Sequence, residues 1–596
     1  MKQKRWAGIG AAAALGLALS VAVACVDDRQ GFEKEGTFEG DDAAAEAPEC
    51  KFQCTIDGRS VVNACTGEIV ETCPDQLACG GARCQTPCGA AAADRSSNGC
   101  DFYFQMPRFS KLFPQSCFAA FIVNTTSQPA EIKLELKGSE MDVSNALFST
   151  TADGAVLTRQ VGPVQPGASA ILFLEDRKPD IPRGPLDNNG YVSCPDFAVP
   201  VVVDESALGG TMFGSSFHLT ATMPVAVAMM YPIGGARSYL SSATMLLPVP
   251  TWANEHIIVN GWEAGGAGGP GVQIVASEDD TDVTIFPKKD VQDGADVKGT
   301  PEGVPATYRL GRGQLLQIVQ PEELTGSVVT STKPTSLFGG HSCANIPSNA
   351  GACDILGQQL PAFEQWGSEY VGVGYRPRLG NEHEPVPYRI VAARDGTQLD
   401  YDPAVPPGAP TTLAAGESAL FHSGTGDAFV VRTQDAEHPI FLAAYMTGGD
   451  GDSVTGKGGY GSLGDPEFVN VVPAGQYLNA YSFYADPTYS ETSLVIVRAK
   501  TKGEFKDVWL ECAGNLADFQ PIGTRGEYEY RRVDLSRNYG PGEKFGDKTC
   551  KTGVQRMRSE APFTATLWGY DAYSSYAYPG GMAHRKLVVT GLDPVR

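Results

Sequence analysis

Four copies of one pattern of short apolar segments fill the chain from Cys117 to its end. Each copy opens with two alternating segments joined by a turn, passes through a glycine into a third, and then carries two segments around a proline. The four prolines are Pro224, Pro334, Pro439 and Pro562. Alternation bounded by turn residues predicts β-hairpins, and a long sequence period indicates a fold built from repeated modules.

The repeats predict an all-β fold in which each copy is a small sandwich. Six short strands in about 100 residues is the size of a β-sandwich, whereas a propeller blade needs only about 40 to 45 residues. Helical periodicity is nearly absent, and 69 glycines and 41 prolines provide many turns. We expect a tandem array of about four sandwich-like repeats in region 101–596, at roughly 117–260, 271–376, 387–485 and 493–590. A closed, propeller-like arrangement of the same units is the alternative.

The N-terminus predicts export. Three basic residues among the first five precede the apolar stretch Ala7–Ala24, which is typical of a signal peptide covering residues 1–24. The segment ending at Cys25 resembles a bacterial lipobox, in which this cysteine becomes the first mature residue and carries acyl chains. Cleavage after Ala24 to release a soluble protein is the alternative. No second stretch is apolar enough to span a bilayer, so we expect attachment to a bacterial outer membrane or cell surface through the lipid alone.

A tether and a cystine-rich module follow the predicted cleavage site. Residues 25–49 are acidic and rich in Gly and Ala, which is typical of a flexible linker. Region 50–100 then holds eight cysteines, and so short a segment needs disulfides because it cannot bury a sufficient core. They are Cys50, Cys54, Cys65, Cys73, Cys79, Cys84, Cys88 and Cys100. Two C-x3-C spacings could hold zinc, but no histidine lies nearby, so we expect disulfides, no metal and no cofactor, with the connectivity left open.

The remaining cysteines divide among the repeats. Without Cys25 the chain has fourteen cysteines, an even number that can all pair in an oxidising compartment. Six of them lie beyond the cystine-rich module, and we expect each to pair within its own repeat: Cys117 with Cys194, Cys343 with Cys353, and Cys512 with Cys550.

The second repeat carries the clearest family signal. Segment 324–373 contains a proline-flanked strand, a Cys-Ala-Asn-Ile-Pro-Ser loop, an Ala-Cys-Asp that follows, and a Gln-Leu-Pro before Trp366-Gly367. Together these motifs resemble the IgGFc-binding protein N-terminal domain family. The segments at Ser277 and near Asn98 fit the same family more loosely, and the resemblance covers roughly Cys100 to Tyr578. The resemblance implies an extracellular binding or adhesion protein. Animal members are mucus proteins named for binding the Fc part of immunoglobulin G, and bacterial members look like secreted or lipid-anchored surface proteins.

Charge and loop composition point to the kind of partner. The net charge of −23 disfavours nucleic acid and anionic lipid headgroups, because both require a basic surface. A loop rich in Gly, Ser, Tyr or Asn follows each proline-marked strand, at 234–242, 339–351, 448–464 and 570–580, and equivalent positions could place all four on one face. Tyr, Ser and Gly make adaptable contacts at low ordering cost. Our candidate ligand-contact residues are Tyr570, Tyr573, Tyr576 and Tyr578; packing against an edge strand is the alternative.

We therefore predict a non-catalytic protein that binds an extracellular protein, glycoprotein or polysaccharide. A structural envelope or matrix protein that acts by self-assembly is the alternative, and a secreted hydrolase is a weaker one. Gly340-His341-Ser342 imitates a nucleophile elbow, but a proline-rich loop follows where the elbow needs a helix.

Two acidic groups raise a calcium hypothesis: Asp279, Asp280 and Asp282, and Asp450, Asp452 and Asp465. No EF-hand or nonapeptide pattern accompanies them, so solvated turn residues are the preferred interpretation.

Overall fold

The computed structural model describes residues 51–592 except 56–57, 108, 111–114, 178–190, 204–207, 239, 267 and 451–458. The predicted signal peptide, Cys25, the tether and Cys50 lie outside the described residues. Within them, β-strands dominate, and the α-helix Pro87–Asp94 and four short 3-10 helices are the helical elements. The 3-10 helices are Gly235–Arg237, Val249–Thr251, Phe363–Gln365 and Ala474–Gln476.

The cystine-rich module consists of two small sheets and one helix. Strands Phe52–Cys54, Ser60–Asn63 and Ile69–Thr72 pair antiparallel, and Ala78–Gly80 pairs with Arg83–Gln85. The bridges are Cys54–Cys79, Cys73–Cys84 and Cys88–Cys100, and Cys65 is also disulfide-bonded. The third bridge ties the helix to the first strand of the repeat region. Disulfides here replace a hydrophobic core that is too small to hold the segment together.

Four modules follow, and each runs from a lead strand through a long strand to a ring strand. Module 1 contains Asn98–Phe104, Phe118–Asn124, Ile132–Leu136, Ser139–Met141, Leu147–Thr150, Leu157–Arg159, Ser169–Asp176, Val202–Val203, Phe217–Tyr231 and Ser242–Met245, and its strand Met212–Ser215 pairs with module 2. Module 2 contains Ala253–Ile257, Pro270–Ala276, Thr281–Phe286, Ala306–Leu310, Gln314–Val319, Val328–Ala344 and Asp354–Leu360.

The last two modules repeat this order. Module 3 contains Glu369–Gly372, Pro385–Ala392, Thr397–Asp402, Thr412–Leu413, Ser418–Gly424, Phe429–Thr433, Ile440–Met446 and Glu467–Asn470. Module 4 contains Leu478–Ala485, Glu491–Ala499, Val508–Leu510, Gly514–Asn515, Gln520–Ile522, Tyr528–Arg537, Gly540–Pro541, Lys544–Phe545, Lys548–Thr549, Gly553–Asp571 and Ser574–Pro579.

The long strand makes each module a two-layered unit. In module 1, residues 217–221 pair with Ile132–Leu136, whereas residues 225–230 pair with Phe118–Asn124. Pro224 lies between the two pairings, where its missing N–H costs no ladder bond. In module 3 the same strand is split into two, and each half belongs to its own four-stranded sheet. The predicted sandwich-like repeats are confirmed.

The lead strand links each module to the one before it. Ala253–Ile257, Glu369–Gly372 and Leu478–Ala485 follow the ring strands of modules 1, 2 and 3, yet each pairs with the long strand of the next module, in module 3 with its first half. Asn98–Phe104 pairs in the same way with the long strand of module 1. The structural module thus starts one strand earlier than the repeat defined from the sequence. In the sequence repeat, the lead strand is the last segment of the preceding copy.

The four modules close into a ring, which is the closed arrangement considered as an alternative. The ring strands Ser242–Met245, Asp354–Leu360, Glu467–Asn470 and Ser574–Pro579 contact one another in cyclic order, the fourth against the first. Every residue of these strands is buried. Each apolar core is shared by neighbours: one core combines Phe121 of module 1 with Tyr484 of module 4, and another combines Ile274 of module 2 with Phe441 of module 3.

Glutamine side chains join the ring strands across the centre. Gln358 of module 2 donates from Nε2 to the carbonyl oxygens of Ala243 (2.7 Å) and Ala577 (3.0 Å), which belong to modules 1 and 4. One layer further, Gln476 donates to the carbonyl oxygen of Gln365 (3.0 Å), and Gln365 donates to that of Thr251 (2.6 Å). Each amide satisfies backbone groups that would otherwise be buried without a partner.

The two ends of the ring meet at one seam. The Ser97 amide donates to the carbonyl oxygen of Met582 (3.0 Å), and the His584 amide donates to that of Arg95 (2.6 Å). The His584 imidazole is fully buried, and its Nδ1 lies 3.0 Å from Oε1 of Gln365. Residues just before module 1 and just after module 4 therefore close the ring together.

Candidate functional site: the loop face

Four loops meet at one end of the ring because each connects a long strand, or its second half in module 3, to a ring strand. We call this surface the loop face and define it by the described residues of 232–241, 345–353, 447–466 and 571–575, together with the adjacent turn 538–539. The Gly448 amide donates to the carbonyl oxygen of Ile346 (2.8 Å), and the Gly464 amide donates to that of Asp571 (2.7 Å). Ser241 and Ser574 join the first loop to the fourth through their hydroxyls, 2.6 Å apart. The structure thus brings together the loops that the repeat predicts on one face.

Two of the four predicted loops are shorter than the sequence indicates. Residues 339–344 belong to the long strand of module 2, and residues 574–579 form the ring strand of module 4. Glycine and serine in these segments permit close packing instead of a turn: a Cβ on Gly339 would lie 1.9 Å from the carbonyl oxygen of Val259.

Three of the four candidate tyrosines are buried, which corrects their assignment to an exposed loop. Tyr570, Tyr576 and Tyr578 are at most 1 % exposed. The Tyr570 hydroxyl donates to the Arg376 carbonyl oxygen (3.3 Å), that of Tyr578 donates to the Tyr484 carbonyl oxygen, and that of Tyr576 accepts from the Asp486 amide (3.0 Å). The reason is that the ring strand, which carries Tyr576 and Tyr578, and the end of the long strand, which carries Tyr570, are both buried, so these side chains pack between modules. Tyr573 is the candidate that remains partly exposed.

Tyr573 is held in a left-handed backbone conformation at the junction of two loops. Its φ is 51°, a region that bulky residues seldom occupy. Its hydroxyl donates to Oδ1 of Asp450 (3.0 Å) and accepts from Oγ of Ser462 (2.7 Å), and its amide donates to the carbonyl oxygen of Ser462 (2.8 Å). Such a residue persists only when its surroundings fix it, and this kind of strain concentrates at functional sites.

Tyr539 is a second tyrosine in the left-handed backbone conformation, and its side chain is more exposed than that of Tyr573. It follows Asn538 in a two-residue hairpin turn between paired residues Arg537 and Gly540, with φ of 49° and 60° for the two turn residues. Such turns favour Asn at the first position and Gly at the second. The Tyr539 side chain is 67 % exposed, and its hydroxyl donates to Oδ1 of Asp571 (2.9 Å). Tyr539 is not among the residues predicted from the sequence, although the Asn before it, between two strand segments, indicates a turn of this kind.

A buried arginine fixes the third loop. Nε of Arg378 donates to Oε1 of Glu384 (2.8 Å), and both side chains are at most 1 % exposed. Nη1 of Arg378 donates to the carbonyl oxygens of Thr447 (2.7 Å) and Leu463 (2.9 Å), at the two ends of the loop. The Arg378 guanidinium also lies 3.6 Å from the ring centre of the partly exposed Tyr460. A planar fork suits this task because it can bond several carbonyls at once.

Three carboxyl groups lie buried beneath the loop face. Asp354, Asp465 and Glu467 are at most 1 % exposed. Burial, together with the charges of Asp465 and Glu467, holds the pKa of Asp354 well above its usual range. Burial likewise raises the pKa of Asp465 and of Glu467. Charges are rarely buried without partners. Asp465 belongs to the calcium hypothesis, but nothing in the sequence distinguishes Asp354 and Glu467 from ordinary surface acids.

The nucleophile-like segment of module 2 has a structural role. Oγ of Ser342 accepts from the Gly269 amide (2.9 Å) inside a strand. Nδ1 of His341 accepts from the Cys343 amide (3.0 Å), its Nε2 contacts the Glu263 carbonyl oxygen (3.1 Å), and burial lowers the pKa of His341 to about 4. The imidazole is thus engaged with backbone groups, and we assign no catalytic role to Ser342.

The first acidic group is bound by arginine. Asp282 accepts two hydrogen bonds from Arg309, at 2.9 and 3.1 Å, and Asp279 accepts one from the Arg312 amide (2.9 Å). Asp452 lies outside the described residues. Within the described part of the chain, no group of three or more His, Cys, Asp or Glu side chains is arranged to hold a metal ion.

Each of the three bridges in the modules joins cysteines of one module. They are Cys117–Cys194, Cys343–Cys353 and Cys512–Cys550. The second closes the loop of module 2 on the loop face, so it fixes part of the surface that Gly448 contacts through Ile346.

Fold and site together define a class: a disulfide-bonded, all-β ring of four modules that presents a composite surface made of loops. The chain belongs to the IgGFc binding protein family, whose model matches residues 242–569, more than half of the chain. That match extends from the ring strand of module 1 to the long strand of module 4. This is a family of extracellular binding proteins, and the disulfides are those of an exported protein. No helix among the described residues is long and apolar enough to cross a membrane. A search of the curated proteins finds no match.

Proposed function

We propose that this chain is a lipid-anchored cell-surface protein of a bacterium that binds an extracellular glycoprotein or polysaccharide through its loop face, without catalysis. The observation that carries the proposal is the pair of strained tyrosines, Tyr539 and Tyr573. Each occupies a backbone conformation that glycine would adopt at lower cost. A large aromatic side chain at such a position is explained if it contacts a ligand.

The chemistry of the loop face suits a large polar ligand. Tyrosine provides a rigid, amphipathic contact surface at a small cost in side-chain entropy, and neighbouring Ser and Gly residues adapt to varied shapes. Asp450 and Asp571 accept hydrogen bonds from the hydroxyls of Tyr573 and Tyr539, so they orient both rings. The Fc part of immunoglobulin G belongs among the ligands to test because of the family, together with mucin glycoproteins and polysaccharides.

Replacing the strained tyrosines by glycine should separate binding from stability. We expect Y539G and Y573G to weaken binding to the immobilised ligand class by at least about tenfold, which corresponds to about 1.4 kcal/mol. The same variants should melt within a few degrees of the wild type, since the relieved backbone cost of about 1–2 kcal/mol offsets the lost hydroxyl hydrogen bonds, which contribute about 0.5–1.5 kcal/mol each. The measurement is surface binding of the full chain, with disulfides intact, to Fc, mucins and polysaccharides, paired with thermal unfolding.

Lys502 offers a matched control. Its φ is 51°, but it lies in the turn after strand Glu491–Ala499, at the end of that strand away from the loop face. K502G relieves the same kind of backbone cost and should leave binding unchanged. Equal loss of binding in K502G, or full binding in both tyrosine variants, would contradict the loop face as the ligand site. Silence toward every ligand, together with concentration-dependent oligomers of the wild-type chain, would instead support a self-assembling matrix protein.

The lipid anchor makes a separate prediction. If Cys25 carries acyl chains, a chain produced in a bacterium should incorporate an alkyne-tagged fatty acid and remain with the membrane fraction. The variant C25S should lose the label and be released, because without acyl chains no anchor of the predicted kind remains. Labelling that persists in C25S, or a wild-type chain that is soluble and unlabelled, would refute lipidation at this residue.

A further inference from the structure

We propose that Asp354 and Asp465 bind a calcium ion beneath the loop face, at the centre of the ring. Neither carboxylate oxygen of Asp465 has a hydrogen-bond partner, and Oδ1 of Asp354 has none. Both side chains are at most 1 % exposed. Oxygen atoms that are buried, negatively charged when ionised and without donors are costly for a fold to keep, unless a cation binds them.

Neither of the two carboxylates forms an ion pair with a cationic side chain of the described residues. Among charged side chains, Arg378 has the largest effect on the pKa of Asp465, which it lowers. Its guanidinium is, however, hydrogen-bonded to Glu384, Thr447 and Leu463. No Lys or Arg among the described residues forms an ion pair with Asp354, Asp465 or Glu467. Within the described residues, the two carboxylates are thus left without an ion-pair partner.

Another unpartnered group points toward the same place. The Tyr489 hydroxyl is fully buried and has no hydrogen-bond partner. A Cβ on Gly235 would lie 2.8 Å from this hydroxyl, and the Gly235 carbonyl oxygen accepts from Oγ of Ser574 (3.0 Å), the neighbour of the Ser575 amide that donates to Asp354. A hydroxyl in this position can donate to a water bound to the ion.

Calcium is the cation that fits these ligands. It takes oxygen ligands from carboxylates, backbone carbonyls and water in flexible geometry. A Cβ on Gly448 would lie 3.2 Å from Oδ1 of Asp465 and 3.6 Å from the carbonyl oxygen of Ile346, so a carboxylate oxygen and a backbone carbonyl oxygen lie beside the same glycine. Because no set of three acidic side chains is arranged around one point in the described residues, we assign two carboxylates, with backbone oxygen and water completing the shell.

A calcium ion here would join three modules. Asp354 starts the ring strand of module 2, Asp465 precedes that of module 3, and Oδ2 of Asp354 accepts from the Ser575 amide of module 4 (3.3 Å). The inference does not rest on the proposed function, because the ion would stabilise the ring whichever ligand the loop face binds.

The test is calcium binding by the full chain, measured by calorimetry and by the melting temperature in calcium and in chelator. We expect one calcium ion per chain and a rise in melting temperature of several degrees. D354N and D465N should weaken calcium binding by at least tenfold and lose the calcium-dependent rise. Both variants keep the shape of the protonated acid, so in chelator they should melt no lower than the wild type.

Asp518 provides the matched control, since it is 83 % exposed and lies on a strand connection of module 4. D518N makes the same change of charge and should keep the full calcium response. An unchanged wild-type melting temperature in millimolar calcium, with no binding heat, would overturn the proposal and leave the pair as buried protonated acids. An equal calcium response in D354N, D465N and wild type would also overturn it, because the ion would then bind elsewhere.

Discussion

Replacing Arg378 by methionine should destabilise the ring by about 3–5 kcal/mol, the largest loss we expect from a single side chain here. Methionine removes the cation and leaves Glu384 buried and charged without its partner. It also leaves the carbonyl oxygens of Thr447 and Leu463 without donors, because Nη1 of Arg378 bonds both. Chemical unfolding of R378M, monitored by fluorescence, measures the loss.

Two further variants test whether the loss of stability in R378M arises from the burial of the ion pair. R309M makes the same substitution in the exposed pair of Arg309 and Asp282, where the arginine side chain is 64 % exposed, and should cost much less stability than R378M. The double variant R378M/E384Q removes the unpaired charge and should recover part of the loss. Its glutamine can still accept from the Tyr375 hydroxyl, which donates to Oε1 of Glu384 (2.7 Å) in the wild type. If R378M is no less stable than R309M, the buried pair does not stabilise the third loop.

The same substitution should reach the loop face. Arg378 bonds both ends of the loop that contains Asp450 and Ser462, the two residues that hold Tyr573. Loss of that support should therefore weaken ligand binding even at temperatures where the chain stays folded.

The repeated pattern of strands was predictable from the sequence, and ring closure was not. Alternation and the four prolines identify long strands that change sheets, because proline can lie only where no ladder bond is needed. Whether the modules lie in a row or in a ring depends on whether the ring strand of module 4 contacts that of module 1. The periodicity of Ser242–Met245 or Ser574–Pro579 does not specify a partner so far away along the chain.

The candidate site was predictable as a region but not as residues. Gly, Ser and Tyr in segment 570–580 are typical of loops, yet residues 574–579 form a strand that is buried on both sides. Ring closure removes the alternation that would have identified it. Arg378, Asp354 and Glu467 escaped prediction for a related reason: charged residues are nearly always exposed, so a sequence gives no sign of the few that are not.

The seam of the ring should be sensitive to acid through His584. Burial, together with the positive charge of Arg95, lowers the pKa of His584 to about 3. A histidine whose pKa is lower in the folded state than its ordinary value of about 6.5 stabilises the fold fully above pH 6.5 or so, and this contribution is lost as the pH falls. Nδ1 faces an acceptor, Oε1 of Gln365, so the neutral ring carries its proton on Nδ1.

We expect H584N to reduce this sensitivity by about 2 kcal/mol between pH 6.5 and 4.5, measured as the difference in unfolding free energy between variant and wild type. The difference between H584N and wild type isolates the contribution of His584, because all other titratable groups are present in both chains. These include Asp354 and Asp465, whose contributions to stability change with pH in the opposite direction. An Asn amide can replace the Nδ1 donor, so H584N should keep the bond to Gln365.

H584Q distinguishes the proton from the hydrogen bond. Glutamine also cannot take up a proton, so its pH profile should match that of H584N, but it places its amide at the position of Nε2 and should lose the bond to Gln365. A constant offset of about 1 kcal/mol between the two variants at every pH is therefore expected. If H584N and wild type lose stability in parallel as the pH falls, proton uptake at His584 does not open the seam, and closure by Ser97 and Met582 holds the ring without it.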